Sequence, residues 1–413
     1  MPVPASAPAR PEGPALLLPH TARRLGLLLV CLLVSLALGL TVVPPTAVQA
    51  APKKAATSVT PLPAAQRAQA DTPNPSLDDG FATFTYRSSS ATSVSLTGSF
   101  GPSDAALTAT FTKSGDDLFT AVVGPLDPGL YSYRMTVDGK VVADPANPNV
   151  VQSTPGTTMF LVPGKASKLL TERKVAHGEL SVLTYPSEVT GTRRRATVWT
   201  PPGYPKRGLA YPTFYLVHGG GGDELDWVQQ GRANLILDNL YAAKKIEPMV
   251  VVMPDADVPG ATGLPEGDTF VPELLENLAP AVRSNFQVSQ RTADQALAGL
   301  SLGGLQTFNV LFSQPGQFRY VGDFSSGYFP QVLADLQDSD ALSAANVRAV
   351  NKTKLFRIYV GNRTDIAYLN NVATRKVFDE AGVDYTFDGV YRESGHTWRT
   401  WQEDLRDFAP RLF

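Results

Sequence analysis

AGLSLGGLQTF, residues 298–308, sets one hydroxyl between two glycines, directly after the apolar run QALAGL and directly before a helical pattern. A strand that turns sharply into a helix around a serine strains that residue's backbone, and side chains on its neighbours would clash. Glycines at 299 and 303 therefore carry a steric meaning. The same turn aims backbone N–H groups of the helix start at developing negative charge. Because G-x-S-x-G also occurs in plain glycine-rich turns, a nucleophilic role for Ser301 requires a base and an acid from elsewhere in the chain.

Working outward from the serine, residues after Val175 alternate apolar runs with helical periodicity. Strands are predicted at 181–187, 194–202, 212–220, 248–256, 295–301, 320–326, 355–362 and 383–391. Helices are predicted at 237–245, 271–286, 303–318, 370–382 and after Trp398. That alternation predicts an α/β fold with a mainly parallel central sheet and crossover helices. The chain has four histidines, and only His396 follows the serine. His20 falls in the N-terminal apolar region, His177 precedes the first strands, and His218 ends a strand upstream, where it shapes a loop.

A serine nucleophile needs an imidazole within hydrogen-bond reach and a carboxylate to orient that imidazole. His396, in the loop ESGHTW, is the candidate base. Asp365, where the strand LFRIYVGN runs into a loop, is the candidate acid. Asp323 lies too close to the serine, and Asp384 precedes a strand. HGGGGDELDW, residues 218–227, supplies four consecutive glycines whose backbone can approach a substrate carbonyl. Gly220, with Gly219 as the alternative, and Leu302 are the candidate oxyanion donors. Trp227 and Trp398 are candidate substrate-binding aromatics, although packing explains each equally well. No Lys-Ser or Lys-Thr follows the glycines, which argues against a phosphate loop, and no metal-ligand spacing occurs, so neither metal nor other cofactor is expected.

Composition narrows the rest. With 413 residues, 43% hydrophobic and 18% charged, the chain has room for more than one core, and a net charge of -2 provides no basic field for nucleic acid. Arg23 and Arg24 precede an uncharged run that ends in Val48-Gln49-Ala50. This reads as an export signal over 1–50 cut after Ala50, with an uncleaved anchor as the alternative. Both readings put the remainder outside the cytoplasm. The single cysteine, Cys31, lies inside that run, which excludes thiol chemistry from a mature chain. Residues 51–75, rich in Ala, Pro, Thr and Gln, are expected to be a disordered linker. Residues 76–163 alternate apolar with polar positions between Gly, Pro and Asp, which predicts a small β-sandwich.

Two family resemblances follow. LTGSF (96–100), LDPGLYSYR (126–134), VDG (137–139) and DPANP (144–148) resemble carbohydrate-binding module family 48, an early-set, immunoglobulin-like module. No tryptophan precedes Trp199, which points to a structural platform rather than a sugar-stacking face. HGGGGDELDW, the continuation through MPDAD at 253–257 and AGLSLGGLQTFNVLF resemble carbohydrate esterase family 1, particularly bacterial feruloyl esterases. That likeness runs from about His177 to beyond His396, covering most of residues 164–413. It implies an α/β-hydrolase fold, a Ser301-Asp365-His396 triad, and a secreted hydrolase of acyl esters on plant polysaccharide, above all feruloyl arabinoxylan. Acetyl xylan esterase or an acyltransferase of the same fold remain alternatives, as does a non-catalytic carbohydrate-binding protein.

Overall fold

Apolar runs without alternation can be buried on both faces, and the central strands of the large sheet are. In the computed structural model, described for residues 57–67, 74–260, 263–387 and 393–413, the chain begins with β1 (Ser58–Pro61). Nine short strands follow: β2 (Ser76–Asp78), β3 (Phe81–Arg87), β4 (Val94–Gly98), β5 (Leu107–Thr110), β6 (Thr112–Ser114), β7 (Leu118–Val123), β8 (Gly129–Val137), β9 (Lys140–Val142) and β10 (Thr157–Val162). The second half supplies β11 (Glu179–Pro186), β12 (Arg193–Thr200), β13 (Thr213–Val217), β14 (Val250–Pro254), β15 (Gln295–Leu300), β16 (Tyr320–Phe324), β17 (Leu355–Tyr359) and β18 (Thr386–Phe387).

The large sheet runs β1-β11-β12-β14-β13-β15-β16-β17-β18. It is mixed rather than mainly parallel. The three pairings from β1 to β14 are antiparallel, and the five from β14 to β18 are parallel. The short turn between β11 and β12, with Gly191 at φ 66°, permits only an antiparallel hairpin there, whereas helices return the chain between the later strands. Two apolar layers cover the sheet. Helices Leu302–Ser313 and Tyr368–Ala381 pack Phe308 and Phe378 on one face. Helices Ala233–Ala242 and Trp398–Phe408 pack Ile236 and Phe408 on the other.

The linker expected at 51–75 is corrected where it is described. Ser58–Pro61 pairs antiparallel with β11, and the Leu62 N–H donates to the Leu180 carbonyl at 2.9 Å while its side chain is buried. Backbone pairing at a sheet edge does not depend on side-chain hydrophobicity, and Leu62 adds one buried side chain just past the strand. Residues 51–56 and 68–73, the export segment with Cys31, and the end of the last predicted strand at 388–391 lie outside the described residues.

Strands β2 to β10 form two antiparallel sheets, β10-β8-β4-β5 with β9 beside β8, and β2-β3-β7-β6. Their facing sides share one core, in which Phe84 meets Tyr133 and Phe160 edge-on at 4.9 and 5.5 Å. The arrangement is a β-sandwich. The DPANP stretch explains itself here. Asp144 accepts hydrogen bonds from Asn74 (2.6 Å), the Tyr133 hydroxyl (2.5 Å) and the Ala146 N–H (2.9 Å), so a buried polar knot is satisfied. Burial, reinforced by the Asp144 carboxylate, pushes the Tyr133 hydroxyl pKa far up.

Between sandwich and sheet, His177 ties the chain down. Its Nδ1 lies 2.8 Å from Asp238, whose other oxygen accepts from the Gly178 N–H and the Trp199 indole N–H. The hydrogen bond to Asp238 holds the His177 pKa above its ordinary value against some desolvation. A raised pKa means that the bonded contribution is complete below about pH 6.5, the unfolded value, and fades as pH climbs through the folded one. Replacing His177 by Ala should therefore lower the melting temperature more at pH 5.5 than at pH 9. Equal shifts in thermal scans at both pH values would contradict this linkage.

Candidate active site

Every residue singled out as a site candidate lies at one edge of the large sheet, where the parallel strands end at their C-termini, except the two tryptophans considered below. The elbow is built as the glycines require. Ser301 takes φ 52° and ψ -120°, its N–H donates to the Phe324 carbonyl at 2.9 Å, and its own carbonyl accepts from Gly304 and Leu305 at the start of the helix. A methyl group on Gly299 would overlap the Gly303 carbonyl, and one on Gly303 would overlap the His218 carbonyl. The backbone can turn this tightly only without side chains at either position.

Three residues then join in one chain of hydrogen bonds. His396 Nε2 lies 2.8 Å from Ser301 Oγ, and His396 Nδ1 lies 2.8 Å from Asp365 Oδ1. The buried Asp365 also accepts the Gly361 N–H at 3.0 Å and the Ala367 N–H at 2.8 Å. Burial by itself would raise the Asp365 pKa, but His396 and the Ala367 N–H outweigh it and hold the carboxyl below its ordinary value. An imidazole gripped in this way by an ionised carboxylate is oriented to take a proton from the serine hydroxyl. Of the competitors, Asp323 is fully buried beneath the helix that Ser301 opens, where burial drives its pKa well up and Asn371 approaches at 3.4 Å.

The glycine loop closes over the elbow. Gly219 sits so near Leu300 and Ser301 that a methyl group there would come within 2.7 Å of the Leu300 side chain. Gly220 backs onto the side chain of Leu302, the first residue of its helix, whose N–H has no partner within that helix. His218 braces the loop. Its Nε2 accepts the Ala256 N–H at 2.8 Å, which leaves Nδ1 as the donor to the Gly219 carbonyl at 2.7 Å.

The tryptophans differ from the sequence reading. Trp227 is only 1% exposed, donates its indole N–H to the Val217 carbonyl at 3.0 Å and meets Phe324 edge-on, so it is core and not a substrate contact. Half-buried Trp398 packs between Trp227 and Trp401 at 5.3 and 5.1 Å. The ring that touches the imidazole is Trp401, edge-on to His396 at 5.0 Å. Its position, five residues after the histidine in the first turn of a helix, is the one signal that could have indicated it. Among the described residues no group of three or more His, Cys, Asp or Glu is arranged to hold a metal ion.

The family model described as "Esterase: Putative esterase" matches residues 187–412, over half of the chain, and the protein belongs to this esterase family. Over 301 residues the chain is 33% identical to an endo-1,4-beta-xylanase/feruloyl esterase of Xylanibacter ruminicola, a match covering 70% of this chain and 39% of that protein. The chain thus spans well under half of that relative's length. Among solved structures, a feruloyl esterase module from Clostridium thermocellum complexed with sinapinate superposes with a TM-score of 0.51 at 22% identity, over 61% of this chain and 93% of that one. The enterobactin esterase of Shigella flexneri gives 0.56 at 17% identity, over 82% and 94%. At these identities the likeness concerns fold, which is α/β-hydrolase-like.

The glycine contacts predict unequal costs. Gly303→Ala, forced against the His218 carbonyl, should destabilise by about 2–3 kcal/mol. Gly221→Ala, at φ 74° with open space around it, should cost about 1 kcal/mol from backbone strain alone. Urea unfolding midpoints of the two variants would test the difference.

Proposed function

We propose that the protein is a secreted serine carboxylic-ester hydrolase acting on acyl esters of plant polysaccharide, most specifically feruloyl esters of arabinoxylan, within carbohydrate esterase family 1. The observation that carries this reading is the Ser301–His396–Asp365 chain, 2.8 Å at each link, beside a glycine loop. The feruloyl esterase name of the Xylanibacter ruminicola relative supports the acyl group and the xylan context. The sandwich motifs support a module of carbohydrate-binding family 48, and the N-terminal apolar run supports export.

In this mechanism His396 Nε2 accepts the proton of Ser301 as Oγ attacks the ester carbonyl. The Gly220 and Leu302 N–H groups hold the oxyanion, and His396 returns the proton to the departing alcohol. Water then attacks the acyl-serine with His396 again as base, freeing the acid and restoring the hydroxyl. Asp365 stays ionised throughout and keeps the ring in register, a role that suits its depressed pKa. No step calls for a metal.

Ferulate release from methyl ferulate and feruloylated arabinoxylan, assayed beside acetate release from acetylated xylan, tests the reading. Ser301→Ala should lower ferulate release by roughly 10⁴-fold or more, and Asp365→Asn by on the order of 10⁴-fold, through loss of the tautomer that His396 needs. Acetate release without ferulate release would move the substrate to acetyl esters. Turnover unaffected by Ser301→Ala would refute the serine mechanism.

A further inference from the structure

A short loop of the sandwich, Gly101–Ala105, reaches the loops that carry the candidate acid and base. Two successive non-glycine residues there, Ser103 (φ 56°) and Asp104 (φ 61°), adopt the left-handed conformation. Strain of this kind persists where the surroundings over-determine it, and here the surroundings are the loops that carry the acid and the base. Asn362, three residues before Asp365, donates its side-chain N–H to Ser103 Oγ at 3.0 Å, and its backbone N–H donates to the Ser394 carbonyl at 3.0 Å. Asp104 Oδ2 accepts the hydroxyl of Thr397, the residue after His396, at 2.9 Å. Asp104 Oδ1 lies 3.2 Å from Arg399 Nε, and the Arg399 guanidinium lies over the Tyr131 ring of the sandwich at 5.2 Å.

The contact is half-buried: the Asp104 side chain is 10% exposed and that of Arg399 22%. A second point of attachment reaches the short helix Asp226–Gln229 that follows the glycine loop, where Ser153 Oγ donates to Asp226 at 2.5 Å and the Gln152 N–H donates to Gln229 at 2.9 Å. The sandwich therefore touches the acid loop, the base loop and the helix that follows the glycine loop, which is more than a spacer requires.

We propose that Ser103 and Asp104 are positioning residues for His396: the sandwich clamps the Ser394–Thr397 loop so that the imidazole stays in reach of both Ser301 and Asp365, and the esterase body is catalytically incomplete without it. The proposal rests on the functional reading above. Its physical basis is leverage. Thr397 adjoins the imidazole, and a displacement of about 1 Å is enough to remove a reacting group from productive geometry.

The test compares the full-length protein with Asp104→Ala, Asp104→Asn, Thr397→Val and, as control, Asp117→Ala, which removes an exposed sandwich ion pair with Arg87. Hydrogen exchange is followed over residues 393–402 and over β15, together with steady-state hydrolysis of para-nitrophenyl acetate. Asp104→Ala and Thr397→Val should speed exchange in 393–402 at least tenfold without changing β15. They should lower kcat 10- to 100-fold with KM within twofold, and Asp104→Asn, which keeps an acceptor for Thr397, should recover part of both losses. Exchange in Asp104→Ala equal to the parent and to Asp117→Ala would overturn the clamp whatever the turnover, and so would an effect confined to KM. A parent without Ser301-dependent turnover would overturn the hydrolase reading and with it the catalytic consequence, and exchange would still decide whether the clamp exists.

Discussion

Gly303 seats against the carbonyl of His218 with no room for one more carbon atom, and the order of the site follows from that contact. It joins the turn after β15 to the loop after β13, so that the serine and the glycine loop share one position in space. Backbone pressed on backbone has no rotamers to adjust, which makes the junction stiff. The two hydrogen bonds of His218 then fasten the loop on its far side, to the chain leaving β14.

From this junction outward, the site is a property of the sheet edge. Parallel strands deliver their C-terminal ends to one side, and each contributes what its following loop carries: glycines after β13, the serine after β15, the acid after β17. The Ser301 and Ser325 N–H groups extend the ladder by bonding to the Phe324 and Tyr359 carbonyls, so regular pairing continues into the turns. The carboxylate of Asp365 is stabilised mainly by His396 and by donors drawn from its own loop, an arrangement that keeps charge in a buried place.

What was legible in the sequence was what chemistry and sterics mark locally. A serine between obligatory glycines, a solitary histidine downstream and an aspartate just past a buried strand are each recognisable from residue type and position, and they meet in one hydrogen-bonded chain. The aromatic contacts were not legible, because a tryptophan after a glycine loop reads the same whether it faces a ligand or the core. Strand β1 was obscured by its composition: Ser-Val-Thr-Pro in an Ala- and Pro-rich stretch carries no alternation, and its order comes from the partner's free edge. The contacts of Ser103 and Asp104 span more than 250 residues of sequence, and no periodicity or motif encodes such a meeting.

The pairing of β1 with β11 also changes how the sandwich is to be understood as a module. The chain enters the large sheet, leaves it after Leu62, builds the sandwich and re-enters at Glu179. Topologically the sandwich is an insertion with both ends fastened to the same sheet, not a cassette hung from the front of an enzyme. A body pinned at two points lacks the torsional freedom of one on a single flexible tether. A truncation meant to isolate the esterase half, starting anywhere between residues 63 and 178, would discard the edge strand as well. It would leave the backbone donors and acceptors of β11 exposed, the kind of bare edge on which separate chains stack.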